Sequence, residues 1–115
     1  MTESSANPVL VLCRDLMFAS KIRAAASDST AIKLLRDPAQ LIGESGGTLI
    51  VDLSQEGALE AASSWKSANA ASRLIGFVAH VDHETAARAQ AKGFDDVFTR
   101  RQFVEMLPQL IRGES

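Results

Sequence analysis

The segment 74–100, LIGFVAHVDHETAARAQAKGFDDVFTR, decides the fold of this chain. It opens with an apolar run, continues with a polar, alanine-rich stretch, and returns to a short run of strand-forming residues. This order predicts a strand over 74–79, a helix that starts at Asp82 and stops at Gly93, and a second strand over 96–99. Two strands joined by a helix run parallel in one sheet.

The remainder of the chain repeats this alternation. Three further apolar runs predict strands, over 9–13, 30–35 and 48–53. Helices are predicted after Asp15, after the capping pair Asp37-Pro38, over 57–71 and at the end of the chain. The sequence therefore predicts an α/β domain with a doubly wound, five-stranded parallel sheet and helices on both faces.

Two residues carry more specific predictions. Trp65 falls on the apolar side of the helix predicted over 57–71, where an aromatic residue belongs to the core more often than to an interaction surface. Pro108 lies inside the last predicted helix and predicts a kink or a restart there, because proline removes a helical hydrogen bond.

Length and composition indicate one ordinary globular domain. The 115 residues suit a single core over 9–112, with polar tails at 1–8 and 113–115. A formal net charge of −2 and scattered basic residues argue against nucleic acid as a partner. No apolar stretch has the length of a membrane span, and the N-terminal residues lack a secretion signal, so we expect a cytoplasmic protein that does not bind membranes. The single Cys13 excludes an internal disulfide.

Charged residues follow the predicted strands, at the edge of a parallel sheet where ligands bind. Arg14 and Asp15 follow the first strand, Asp52 ends the third, His80 follows the fourth and Arg100 the fifth. Carboxylates and guanidiniums at one edge predict an ion pair, in which Arg14 or Arg100 binds Asp52 or Asp15.

At these residues the chain resembles the receiver domains of bacterial response regulators. The resemblance covers roughly 9–111 and is carried by the spacing from VAHVD at 78–82 through KGFDD at 92–96 to Arg100. It implies a flavodoxin-like sheet with strand order 2-1-3-4-5 and a role in two-component signal transduction. It also places Asp52 where that family carries its phospho-accepting aspartate.

The chain departs from the family at the positions that bind metal and phosphoryl oxygens. The acidic pair that helps bind Mg²⁺ aligns with Cys13 and Arg14, the hydroxyl residue after the fourth strand with Val78, and the lysine after the fifth with Arg100. Mg²⁺ prefers oxygen ligands, and phosphoryl transfer relies on metal and positioned donors. We therefore expect no bound Mg²⁺, no other metal or cofactor, and loss of phosphorylation at Asp52.

These observations predict a stand-alone, receiver-like module that binds another protein and is not an enzyme. By analogy with the family, the interaction face comprises the helix over 82–92, the last strand and the last helix, with Gln90, Arg101 and Glu105 on it. The partner is unidentified, and a homodimer stays open.

Two alternatives also stay open. One is a divergent response regulator that accepts a phosphoryl group from a phosphodonor on Asp52. The other is a domain that binds a small ligand or anion in a strand-end pocket, formed by Arg14, Asp15, Val78, His80 and Arg100.

Overall fold

The computed structural model describes residues 8–25, 31–79 and 82–112. In this part of the chain, five strands are formed: β1 (Val9–Leu12), β2 (Ile32–Leu35), β3 (Thr48–Asp52), β4 (Arg73–Val78) and β5 (Asp96–Thr99). They alternate with a short 3₁₀ turn at Pro38–Leu41 and with four α-helices: α1 (Leu16–Ala25), α2 (Ala58–Ala68), α3 (His83–Ala91) and α4 (Arg100–Arg112).

All five strands pair in parallel, in the order β2-β1-β3-β4-β5. The predicted fold class and strand order are therefore confirmed. The register pairs Leu12 with Val51, Asp52 with Phe77, and Val78 with Thr99, so the carboxyl ends of neighbouring strands lie at one edge of the sheet. Asp52 ends the third strand at this edge.

The sheet separates two hydrophobic clusters, because alternate residues of a strand point to opposite faces. On one face, Leu10, Leu49 and Val51 pack against α2, α3 and the 3₁₀ turn. On the other, Val11, Ile50 and Phe77 pack against buried residues of α1 and α4: Phe18, Ile22, Phe103 and Leu107. Helices thus cover both faces, as the sequence predicts.

The connection between β2 and β3 is one 3₁₀ turn. Asp37 caps it by accepting from the Ala39 N–H at 3.0 Å, while Gln40 Oε1 accepts from the Asp37 N–H at 2.9 Å. Gly43 follows with a φ of 83°, a left-handed conformation that ends the turn at low cost only for glycine. The predicted short helix therefore exists but is a single turn.

This short connection leaves an apolar groove beside α2. The groove has a volume of about 620 Å³, lies between the 3₁₀ turn and α2, and is lined by Leu41, Ile42 and Trp65, among others. Trp65 is nevertheless only 4% exposed, and its indole N–H donates to the Glu44 carbonyl oxygen at 3.1 Å. The prediction that Trp65 belongs to the core is confirmed.

The last helix is continuous through its proline. Helix α4 runs from Arg100 to Arg112, so of the two predicted effects of Pro108, a kink or a restart, the restart does not occur. Proline removes only one backbone hydrogen bond, and the helix is also held by burial of Phe103 and Leu107.

The predicted tails lie outside the described residues apart from Pro8, whose carbonyl oxygen accepts from the Gly47 N–H at 3.1 Å. Of the helices within the described ranges, none is both long enough and apolar enough to cross a membrane.

Candidate functional site

Asp52 is a buried carboxylate with partners on both oxygens. It is 5% exposed and ends β3 on the same face of the sheet as Ile50. Its Oδ1 accepts from the Ser54 N–H at 3.0 Å and from the Ser54 hydroxyl at 2.5 Å. Its Oδ2 accepts from Arg100 Nη2 at 3.4 Å. A buried carboxylate is stable only with such partners, because leaving water is otherwise costly.

Arg100 connects two carboxylates from different parts of the chain. While Nη2 binds Asp52, Nη1 donates to Asp15 Oδ2 at 3.1 Å. Asp15 follows β1, Asp52 ends β3 and Arg100 begins α4, so this bridge ties three segments together at the carboxyl edge of the sheet. The ion pair predicted from the sequence is therefore present, with Arg100 as its cation.

Aromatic rings support the guanidinium of Arg100 from below. Its Cζ lies 4.7 Å from the ring centre of Phe18 and 5.6 Å from that of Phe77. These two rings are 4.8 Å apart, and Phe103 stacks on Phe77 at 5.1 Å. The cation–π contacts favour the charged group at a partly desolvated position. The spacing of these residues along the chain contains no signal that would have revealed this platform.

Asp15 has two roles, one for each oxygen. Its Oδ1 accepts from the N–H groups of Met17 and Phe18 at 3.1 and 3.2 Å, which caps α1 as the sequence predicts. Its Oδ2 binds Arg100. The bond from the Phe18 N–H, followed by the bond from Arg100, lowers the pKa of Asp15 below its ordinary value.

Cys13 packs beneath the bridge. It is 2% exposed, and its Sγ lies 4.0 Å from Asp52 Oδ2 and 3.6 Å from the Asp15 carbonyl oxygen. Burial raises the pKa of the Cys13 thiol. A buried thiol of this kind packs as a small apolar group.

A capping box begins α4 immediately before the bridge. Thr99 Oγ1 accepts from the Gln102 N–H at 3.1 Å, and Gln102 Oε1 accepts from the Thr99 N–H at 3.0 Å. The reciprocal pair fixes the helix start and with it the position of Arg100. The T-x-x-Q pattern at 99–102 is the signal that could have revealed this from the sequence.

Two further residues of the predicted strand-end pocket, Arg14 and Val78, lie away from this bridge. Arg14 is exposed and donates its Nε–H to the Arg36 carbonyl oxygen at 3.3 Å. Val78 is 7% exposed and packs in the cluster against α2 and α3, on the face opposite Phe77. His80 lies outside the described residues. Among the four pocket residues that the structure describes, Asp15 and Arg100 are the two in mutual contact.

The residues assigned to the interaction face are on the surface. Gln90 in α3 and Arg101 and Glu105 in α4 are all exposed. Arg101 directly follows Arg100 in the chain, so this face begins next to the residue that forms the bridge.

Comparison with solved structures identifies the fold of the chain. A phosphorylated response regulator from Burkholderia pseudomallei, with calcium and citrate, matches with a TM-score of 0.77 and 17% identity over 91% of this chain and 66% of that one. The BeF₃-activated receiver domain of DrrB, a protein of Thermotoga maritima, matches with a TM-score of 0.82 and 15% identity. The match covers 94% of this chain and 96% of that one. A further response regulator from Thermotoga maritima matches with a TM-score of 0.77 and 14% identity. The match covers 94% of this chain and 96% of that one.

No protein-family model matches the chain, and neither does any curated protein sequence. The TM-scores of these matches show a shared fold, at identities of 14% to 17%. The chain therefore has the fold of these receiver domains, with the flavodoxin-like strand order β2-β1-β3-β4-β5.

The bridge predicts a coupling between Arg100 and Asp52. Arg100→Gln should lower the free energy of unfolding by about 2 kcal/mol, because it leaves a buried carboxylate without its cation. In an Asp52→Asn background the same change should cost less than half as much. Urea denaturation of the four proteins measures this difference. Arg101→Gln, an exposed neighbour, should change the stability by less than about 0.5 kcal/mol. Equal costs in both backgrounds would contradict the coupling.

The pKa of Asp15 predicts an acid-sensitive contribution to stability. Because that pKa is lower in the folded chain than its ordinary value of 3.8, ionised Asp15 stabilises the fold above this pH. The contribution is lost as the pH falls through the lower, folded-state pKa. Stability measured by urea denaturation between about pH 6 and about pH 2.5 should therefore fall less steeply for Asp15→Asn than for the wild type. Parallel profiles would show that Asp15 does not contribute.

Proposed function

We propose that this receiver-like domain is a non-enzymatic protein-interaction module in which an internal ion bridge replaces the phosphorylation switch. The observation that carries this proposal is the position of Arg100, which binds Asp15 and Asp52 at once, at 3.1 and 3.4 Å. A permanent positive charge is thus bound to two carboxylates at the carboxyl edge of the sheet. The domain would hold one conformation without a phosphoryl group.

The donor set at this position does not suit Mg²⁺. Cys13 offers a thiol in place of a carboxylate, and Arg14 is engaged with the Arg36 carbonyl oxygen. The facing oxygens of Asp15 and Asp52 already accept from Arg100, whose charge repels a cation placed between them. Among the residues that the structure describes, no group of three or more His, Cys, Asp or Glu side chains is arranged for a metal.

The surroundings of Asp52 also lack support for phosphoryl transfer. Its Oδ1 is engaged by Ser54 and its Oδ2 by Arg100, so a nucleophilic oxygen would first have to release a partner. Val78, at the position of the family's hydroxyl residue, has no donor and packs on the other face. Phosphoryl transfer is catalysed mainly by positioned donors and metal charge, and both are reduced here.

The bridge also fixes the helix that carries the proposed interaction face. Arg100 is the first residue of α4, and the exposed Arg101 and Glu105 follow in the same helix. In a phosphorylation-dependent domain this region would change with the state of the aspartate. Here its position depends on an ion pair within the chain, so we infer a face that is presented continuously to a protein partner.

We expect that the domain is not phosphorylated and that it does not bind beryllofluoride, which mimics a phosphoryl group. Incubation with acetyl phosphate and Mg²⁺ should add no phosphoryl mass by intact-protein mass spectrometry, and beryllofluoride with Mg²⁺ should leave the amide resonances of Ser54 and Arg100 unchanged. The reason is that Arg100 holds both carboxylates and the metal ligands are missing. Mg²⁺-dependent modification that Asp52→Asn abolishes would instead support the alternative of a divergent, phosphorylated regulator.

A variant with the family's side chains provides the positive control. Cys13→Asp, Arg14→Asp, Val78→Thr and Arg100→Lys, combined in one chain, restore the acidic pair, the hydroxyl and the lysine. If this variant folds by circular dichroism and responds to beryllofluoride while the wild type does not, the substitutions account for the difference.

If the interaction face is correct, reversing the charge of Arg101 should weaken partner binding without lowering the stability of the domain. Arg101→Glu should reduce by at least about fivefold the amount of partner that the tagged domain retains from a lysate of its native host, because exposed interface charges set partner choice. Its melting temperature should stay within about 2 °C of the wild type. Lys21→Glu, at an exposed position of α1, is the matched control and should retain the partner. Equal loss of binding in both variants, or loss of stability with Arg101→Glu, would contradict this face.

A further inference from the structure

Two arginines lie side by side at the carboxyl edge of the sheet, apart from the bridge of Arg100. Arg14 follows β1 and Arg36 follows β2, and these strands are paired with Leu12 opposite Leu35. Both arginines are exposed. With Asp37, Ala39 and Gln40 they line an open cleft of about 670 Å³.

The backbone of Arg36 is held in place by three side chains. Its carbonyl oxygen accepts from Arg14 Nε at 3.3 Å and from Gln55 Nε2 at 2.8 Å. Its N–H donates to Gln40 Oε1 at 2.8 Å. This frame fixes the Nε edge of Arg14, and within the described ranges its two terminal nitrogens are not engaged and can meet a ligand. Because Gln40 uses its oxygen in the frame, its amide nitrogen is a further donor beside the cleft.

The charge of this cleft is not neutralised within the described ranges. There, no carboxylate oxygen lies within 4.0 Å of a guanidinium nitrogen of Arg14 or Arg36, whereas Arg73, Arg88 and Arg100 each have such a partner. Asp37 borders the cleft, and its Oδ1 accepts from the Ala39 N–H. Two neighbouring guanidiniums repel each other, and a bound anion would relieve that repulsion.

We propose that the cleft between Arg14 and Arg36 binds a phosphate group, either as inorganic phosphate or as a phosphomonoester. The planar guanidinium presents paired donors that match the spacing of phosphate oxygens, and two of them suit a dianion. The site is separate from the ion bridge, because neither arginine is bonded to Asp52 or Asp15 in the described part of the chain. It also differs from the strand-end pocket predicted from the sequence, since Asp15 and Arg100 engage each other elsewhere.

Titration of the full chain with inorganic phosphate at constant ionic strength tests this site. We expect saturable shifts in ¹H–¹⁵N spectra at the amides of Arg14, Arg36 and Gln40. Arg36→Gln should weaken binding at least about tenfold, because charge-assisted hydrogen bonds are lost while the Arg36 carbonyl that anchors the frame remains. Arg14→Gln should have a similar effect.

Two further variants control for charge and folding. Arg88→Gln removes an exposed arginine on α3 and should bind phosphate as the wild type does. Asp37→Asn removes a negative charge from the cleft but keeps an oxygen that caps the 3₁₀ turn, so it should strengthen binding about threefold. Circular dichroism melting verifies that each variant is folded.

Comparison of anions gives the remaining outcomes. Acetate at the same ionic strength should bind at least about tenfold more weakly than phosphate, because it carries a single charge. Stronger binding of O-phosphoserine than of inorganic phosphate would support a phosphomonoester as the ligand, and the reverse order would support free phosphate. Shifts that do not saturate, that acetate reproduces equally, or that persist unchanged in Arg14→Gln and Arg36→Gln would overturn the proposal.

Discussion

The bridge from Arg100 to Asp15 and Asp52 is the interaction on which the carboxyl edge of this sheet depends. Asp52 is almost fully buried, so its charge requires a partner inside the protein. Ser54 satisfies one oxygen, and Arg100 satisfies the other. The second nitrogen of Arg100 then engages Asp15, which also caps α1. One guanidinium therefore links the ends of β1 and β3 to the start of α4.

This arrangement has an electrostatic cost that the surroundings offset. Arg100 begins a helix, where the helix dipole disfavours positive charge. The two carboxylates and the rings of Phe18 and Phe77 compensate for that cost, and the Thr99–Gln102 capping box satisfies the first backbone N–H groups. Removing Arg100 would affect the aromatic cluster and the helix start together. These contacts explain how the buried carboxylate of Asp52 is stabilised at the end of β3.

The sequence was informative where one residue type has one physical role. Apolar runs predicted four strands, and a short run of strand-forming residues predicted the fifth. Asp15, Asp37 and Asp82 predicted helix starts because a carboxylate accepts from the first N–H groups. The choice between Arg14 and Arg100 as the cation could not be predicted. Both follow strands at the same edge, and their side chains are long enough to reach several acceptors. In the folded chain Arg14 contacts the Arg36 carbonyl oxygen, whereas Arg100 lies over the phenylalanine rings. These contacts make Arg100 the cation of the bridge.

By itself, then, the sequence determined an α/β domain with five parallel strands and an ion pair at their carboxyl ends, because periodicity and strand order restrict which residues meet there. Only the tertiary structure decided that Arg100 holds both Asp15 and Asp52, that Val78 packs on the opposite face, and that Arg14 joins Arg36 at a separate cleft. The physical reason is that these outcomes depend on side-chain directions and on contacts between residues far apart in the chain. Arg100 and Asp15 are 85 residues apart, and no local pattern encodes their contact.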